Sequence, residues 1–375
     1  MLFNSVQNFS QNFVSDILDG MYDWVRVIDR DKNIILMNKA MCEGLGKCQI
    51  GKKCNELIGR TEPCEICISR DAVFDGKSHE KQEIINGRIF SVMSSPVKNK
   101  NNEIVAVVEV LRDVTHIHIL HNKIMEQNER LRKDLVMSEK IQLSLLPKEY
   151  DDEKISFSYI FHPCGRVGGD FLDFFRIDEN HIGVYIADVQ GHGVPASMLT
   201  VFLKSSLNKK LLSPAEALRQ LFNDFNQNEF DTQLYITVFY AIINTQTGTV
   251  TYSNAGLNVA PVIFGQDRFE ILRTPGIPIS CWLEHPEYVD KETHLSKGDI
   301  IFLYTDGLPE FKNPAGEQFG EDRLLNIVFG SRGARSQECL KNHLSRLLDS
   351  VTHFAGAENL SEAHDDITAA MLLFK

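Results

Sequence analysis

Four short stretches set aspartates beside turn residues: Gly168-Gly169-Asp170 with Asp173 close behind, Asp188-Val189-Gln190-Gly191-His192-Gly193, Thr305-Asp306-Gly307, and His364-Asp365-Asp366. Carboxylates on separate segments invite a hard divalent cation, because crowded like charges need a counter-charge and oxygen ligands suit Mg2+ or Mn2+. Two such ions about 3.5–4 Å apart would activate water at neutral pH for in-line attack on phosphorus. Any one Asp-Gly pair after a strand is also a good turn. Four together, with Asp188 and Asp306 closing the apolar runs Val184–Ala187 and Ile300–Tyr304, read as a site. In both of those stretches a glycine follows within three residues, where it would let the backbone turn sharply.

The elements that must position these residues fall into three zones. Residues 149–375 mix apolar strand patterns (Ile155–Phe161, Ile182–Val189, Tyr235–Asn244, Thr249–Asn254, Ile300–Tyr304, Ile367–Phe374) with helices starting near Pro195, Ser213, Glu321 and Ser336. Hairpins outnumber strand-helix-strand units, which predicts antiparallel sheets covered by helices, an α+β architecture. Residues 116–148 hold no glycine and no proline until Pro147, and predict one long helix. Alternating steps of four and three along it pick out a heptad seam from Ile117 through Asn128 and Leu131 to Gln142 and Leu145, with five apolar positions of nine. Such a seam predicts a weak coiled coil and a parallel homodimer, with Asn128 pairing with its own copy. Residues 8–115 alternate short strand patterns with turns such as Asn86-Gly87, a small α+β domain.

With the motifs placed, residues 135–375 resemble the metal-dependent PPM phosphatases, in the SpoIIE/RsbU-like bacterial branch. The resemblance is carried, in family order, by Ser138–Pro147, Val167–Asp173 (VGGDFLD), Ala187–Ala196 (ADVQGHGVPA), Asn254-Ala255-Gly256, Pro275–Pro278, Tyr304–Glu310 (YTDGLPE), Phe319-Gly320 and Asp365–Thr368. It implies an α-β-β-α sandwich and hydrolysis of phosphoserine or phosphothreonine on a protein, with a phosphorylated anti-sigma-factor antagonist as the substrate. It also implies that Asp188 bridges two Mn2+ or Mg2+ ions and the Val189 carbonyl adds a ligand. Asp170 completes one ion's protein ligands, and Asp306 and Asp365 hold the other. Asp173 and Asp366 fall outside the matched ligands and are placed just behind them. His192 lies in the right stretch to act as general acid toward the leaving serine, or to fix its loop between two glycines. Leu172, Gln190 and Leu257-Asn258 depart from the family's usual residues without removing a ligand.

The first zone resembles a PAS sensor domain, through a helix around Val14–Met21, the strands holding Val25–Asp29 and Asn33–Met37, Asn38-Lys39-Ala40 opening a helix, and Arg112–Thr115 at its exit. A five-stranded sheet with a ligand pocket is implied, acting on the phosphatase through the helix. Cys42, Cys48, Cys54, Cys64 and Cys67 crowd into this zone, five of the eight cysteines in the chain. The cluster reads as metal or redox chemistry rather than structural disulfides, and the C-x-x-C pair at Cys64 and Cys67, with Cys48 and Cys54, predicts a zinc or iron-sulfur centre, with Cys42 as a substitute ligand. The other reading is a set of small buried hydrophobes.

A net charge of −12 over 375 residues opposes nucleic-acid phosphates and anionic membranes, leaving proteins, small molecules and divalent cations as partners. No apolar run reaches the ~18 residues of a membrane span, and Met1–Ser10 lacks an export signal, so a cytoplasmic location is expected. Gly168-Gly169-Asp170 lacks the following residues of a nucleotide-cyclase signature, and Gly46–Lys53 has Lys53 where a P-loop needs Ser or Thr. His116, His118 and His121 on the long helix read as solvated. Two rival functions are a non-enzymatic signalling scaffold and a metal hydrolase of small phosphoesters. Retention of Asp170, Asp188, Asp306 and Asp365 speaks against the scaffold.

Overall fold

The computed structural model describes residues 11–57, 60–62, 64–228, 230–282, 285–356 and 365–375. The chain divides into two compact units between Arg130 and Leu131.

In the first unit α1 (Gln11–Asp19) leads into β1 (Trp24–Asp29), β2 (Ile34–Met37), α2 (Lys39–Gly44), α3 (Cys54–Leu57), α4 (Ile68–Asp75), β3 (His79–Ile85), β4 (Arg88–Lys98) and β5 (Ile104–Asp113). The strands form one antiparallel sheet in the order β2-β1-β5-β4-β3. Asn86 and Gly87 both take positive φ, 50° and 78°, the twist a two-residue hairpin between β3 and β4 requires. Asn38 fastens the entry to α2: its Oδ1 accepts the Met41 N–H (3.1 Å) and the Val25 N–H (3.0 Å), and its amide donates to the Leu18 and Asp23 carbonyls. Trp24, Ile28, Ile34, Phe90, Val92 and Leu111 make the core. Arg26 and Glu109, opposite each other on β1 and β5, are a buried ion pair at 2.6 Å.

The cysteine expectation is corrected here. Cys48 is bonded to Cys42 in a disulfide and is not available to a metal centre. Cys54 and Cys67 are buried and Cys64 is half-buried. Burial pushes the Cys54 thiol up, away from the thiolate a metal needs. Among the described residues no three His, Cys, Asp or Glu side chains are gathered closely enough to hold a metal as they stand.

Helix α5 (Thr115–Leu145) spans the boundary between the units, and Gln142 is its one buried residue. Ile117, Ile124 and Leu131 of the seam are each more than half exposed. Among the described residues no helix is long and apolar enough to cross a membrane.

The second unit continues with β6 (Tyr150–Asp151), β7 (Ile155–His162), β8 (Phe171–Arg176), β9 (His181–Val189), α6 (Val194–Ser206), α7 (Pro214–Gln227), β10 (Ile236–Asn244), β11 (Thr249–Ala255), β12 (Val262–Phe264), β13 (Phe269–Ile271), β14 (Lys291–His294), β15 (Ile300–Tyr304), α8 (Glu321–Phe329), α9 (Gln337–Ala355) and β16 (Ile367–Phe374). Two antiparallel sheets result, β14-β11-β10-β9-β8 and β13-β12-β15-β16-β7-β6. Phe157, Ile186, Phe239, Phe302 and Leu372 belong to the core between them. Helices α6 and α7 cover one sheet through Leu203, Leu218, Leu221 and Phe222. Leu340, Leu344, Leu347 and Val351 of α9 lie on the other side, recurring at the 3–4 spacing of a helix face. Ser213 and Ser336 cap α7 and α9 by accepting N–H groups of the first turn. The unit is an α-β-β-α sandwich.

Candidate metal centre and active site

The aspartates emerge at one end of the two sheets. Asp170 precedes β8, Asp188 is the penultimate residue of β9, Asp306 follows β15, and Asp365 and Asp366 precede β16. Asp170 is 2% exposed, and its Oδ2 accepts the Thr305 hydroxyl at 2.7 Å. Burial, then the charges of Asp188 and Asp366, raise its carboxyl well above the usual range. Burial and the neighbouring Asp306, Asp365 and Asp366 push Asp188 up to about 7. Asp365 stands at the rim, where partial desolvation raises it against the opposing hydrogen bond from the Asp366 N–H, helped by the Asp306, Asp366 and Glu310 charges. Asn258 holds Asp306, donating its side-chain N–H to Oδ2 at 2.8 Å.

Close backbone approach explains the glycines. A Cβ on Gly169 would lie 2.6 Å from the Val189 carbonyl oxygen, and one on Gly307 would lie 1.9 Å from that of Asp366. The segments carrying Asp170, Val189, Asp306 and Asp366 are thereby pressed together. The expected sharp turn holds at Gly191, with φ of 88°, whereas Gly307 is needed for contact rather than for its torsions. The Val189 carbonyl faces Gly169, beside Asp170.

Two expectations for the neighbouring carboxylates part company. Asp366 is 3% exposed and lies beside the set, but its oxygens are taken by three backbone N–H groups, from Cys164 (2.8 Å), Gly169 (2.5 Å) and Asp170 (3.1 Å). It fixes the loop that carries Asp170. Asp173 is not brought to the set: it pairs with Lys204 at 3.2 Å and Lys209 at 2.5 Å. It follows Asp170 by an odd number of residues on an extended strand, and so faces the other way. His192 is exposed and makes no side-chain hydrogen bond among the described residues.

Sequence reasoning missed several positioning residues. Gln142 donates to the Gly168 carbonyl at 2.8 Å and accepts the Gly168 N–H at 3.1 Å, clamping the Asp170 loop to α5. The only hint was a polar residue in an apolar seam. Thr305 lies inside a quoted motif and Asn258 at a departure from the family's residues, but nothing local says which carboxylate each one holds.

The residues fit a divalent metal site in type, charge and burial. Among the described residues none of Asp170, Asp188, Asp306 and Asp365 is paired with a lysine or arginine, so the set lacks a counter-charge from the chain itself. Asp170 and Asp306 each accept one hydrogen bond from a neutral side chain, Thr305 and Asn258.

Two antiparallel sheets between paired helices, with aspartates converging at one end, define a PPM or PP2C-type phosphatase domain, preceded by a PAS-type sheet. Comparison with known proteins gives the family. The stage II sporulation protein E (SpoIIE) family model matches residues 178–375, more than half of the chain, and a PAS domain model matches residues 12–77. The chain belongs to the SpoIIE family. Phosphoserine phosphatase RsbU of Bacillus subtilis (strain 168) is 27% identical over 271 residues, 71% of this chain and 77% of RsbU. Phosphoserine phosphatase RsbP of the same organism is 24% identical over 185 residues, 47% of this chain and 45% of RsbP. Among solved structures, the SiaA PP2C domain of Pseudomonas aeruginosa superposes with a TM-score of 0.56 at 16% identity, covering 66% of this chain and 99% of that one. At these identities the structural likeness speaks for the fold alone.

Proposed function

We propose that this protein is a metal-dependent protein phosphatase that hydrolyses phosphoserine or phosphothreonine on a protein. The observation that carries the reading is the convergence of Asp170, Asp188, Asp306 and Asp365 from four segments with no basic side chain paired to them among the described residues. Asp170, Asp188, the Val189 carbonyl, Asp306 and Asp365 would hold two Mn2+ or Mg2+ ions. Bound there, such ions supply Lewis acidity toward water and phosphoryl oxygens. The chain's own residues hold this arrangement in place: Thr305 fixes Asp170, Asn258 orients Asp306, and Asp366 ties down the loop before β8. His192, exposed in the loop after β9, would give a proton to the departing serine oxygen.

The names of RsbU and RsbP support a phosphoserine substrate, and the substrate class proposed is a phosphorylated anti-sigma-factor antagonist. Residues 8–115 act as the sensor, 116–148 as a helical connection that pairs with a second copy, and 149–375 as the catalytic domain. Side-by-side assay of a phosphopeptide and an aryl phosphate, with and without Mn2+, tests the reading. Mn2+-dependent cleavage of the phosphopeptide, silenced by chelator and by Asp306→Ala, is expected. Cleavage of the aryl phosphate alone would favour a small-ester hydrolase, and cleavage of neither would favour a scaffold.

A further inference from the structure

Next to the aspartates a cleft of about 350 Å3 opens between the loop after β11 and the segment running from Leu272 to Pro275. Asn258 belongs to both places: it lines the cleft, and its amide holds Asp306 at 2.8 Å. The cleft's walls include apolar Leu257 and Val259, while Arg273 and Lys291 supply its charge. Both cations are exposed, and among the described residues neither pairs with a carboxylate. Among the described residues the Lys291 ammonium donates to the backbone carbonyl of Arg273, at 2.8 Å, which holds the two basic residues side by side. Thr274, in the same wall, is 7% exposed and its hydroxyl has no partner among the described residues.

Arg273 and Lys291 stand side by side next to a centre built of carboxylates, in a chain of net charge −12. Many of the chain's surface arginines and lysines are solvated without an ion pair among the described residues, but these two line one cleft beside the aspartates. An incoming anionic group is a natural partner in such a cleft, and complementary charge of this kind gives specificity and faster encounter. The phosphoryl group itself belongs at the aspartates. What remains to fill a side-chain-sized cleft one residue away is the part of the substrate next to the phosphorylated residue.

We propose that this cleft is a specificity site that receives acidic residues flanking the phosphoserine or phosphothreonine of the protein substrate, with Arg273 and Lys291 reading their charge. The inference rests on the phosphatase reading above. It assigns to the loop after β11 a role in choosing substrates as well as in holding Asp306.

The test uses the full chain with Mn2+ and two fluorescent phosphopeptides of equal length, one with aspartates on both sides of the phosphoserine and one with lysines. Their ratio of kcat/KM is the readout, because both are cut at one centre and any shared loss cancels. The wild type should favour the acidic peptide at least about fivefold at low salt, chiefly through KM, with the preference shrinking as salt rises. In the double variant Arg273→Glu, Lys291→Glu the preference should level or reverse. A wild-type ratio near one, or a ratio unmoved in the variant, overturns the proposal. If the wild type cleaves neither peptide and no aryl phosphate, the phosphatase reading falls. The same two peptides, followed by fluorescence anisotropy, then decide the cleft by their ratio of affinities.

Discussion

Asp188 is raised to about 7 by burial first and by Asp306, Asp365 and Asp366 next. A carboxyl whose folded pKa lies above its unfolded value binds its proton more tightly in the folded state. Ionising it therefore costs stability, and the cost builds from about pH 4 and is complete above pH 7. In the metal-free protein Asp188→Asn should raise the melting temperature at pH 8, by a free energy on the order of 2–4 kcal/mol, and change little at pH 4. The same variant should lose Mn2+-dependent turnover. Thermal melts at the two pH values, run in chelator, check the first part; an unchanged or lowered Tm at pH 8 contradicts the packing of these charges. Asp170, Asp188 and Asp306 were legible because each follows an apolar run or a glycine pair, a pattern local to a few residues, whereas Asp365 was marked only by its place before the apolar run of β16. Asp173 was not, because its partners Lys204 and Lys209 lie more than 30 residues away and strand alternation turns it from Asp170.

Helix α5 enters the catalytic unit through one buried side chain, Gln142. Its amide satisfies both backbone groups of Gly168, so Gln142→Ala leaves a buried N–H and a buried carbonyl without partners. An unfolding cost of roughly 1–3 kcal/mol follows for that unit. Weaker Mn2+ binding should accompany it, since the loop carrying Asp170 loses its anchor. Urea unfolding and a Mn2+ titration measure the two; a variant unchanged in both would show that the clamp holds nothing. Strands β15 and β16 could be read to the residue, because fully buried strands rich in Ile, Leu and Phe announce themselves. Strand β3 (HEKQEII) is polar over most of its length and gave no such signal, while β12, β13 and β14 are too short for periodicity to show. Helices α3 and α4, four and eight residues long, fail for the same reason, whereas α2 opens where Asn38-Lys39-Ala40 marked a helix start.

At the scale of the whole chain the proposal is that α5 carries the sensor's state to the catalytic unit within a dimer. Inserting two residues between Asn128 and Leu131 turns everything downstream by about 200°, whereas seven residues come within about 20° of two full turns. Phosphatase activity should change markedly with the first insertion and survive the second, and the intact protein should sediment as a dimer. Wild-type behaviour of both insertions, or a monomer, rules the coupling out. The sandwich and the PAS-type sheet were legible from hairpin spacing and motif order. The Cys42–Cys48 bond was not, because spacing alone does not distinguish a metal clip from a disulfide.

The contact between Gly307 and the Asp366 backbone reaches beyond architecture into genetics. Since even a methyl group there would meet a carbonyl oxygen at 1.9 Å, any side chain forces the Asp366 backbone to move. Every missense change open to the glycine codon is therefore expected to disturb the segments that carry Asp306 and Asp365. A screen for loss-of-function alleles will collect hits at Gly307 as readily as at Asp306, although glycine takes no part in the chemistry.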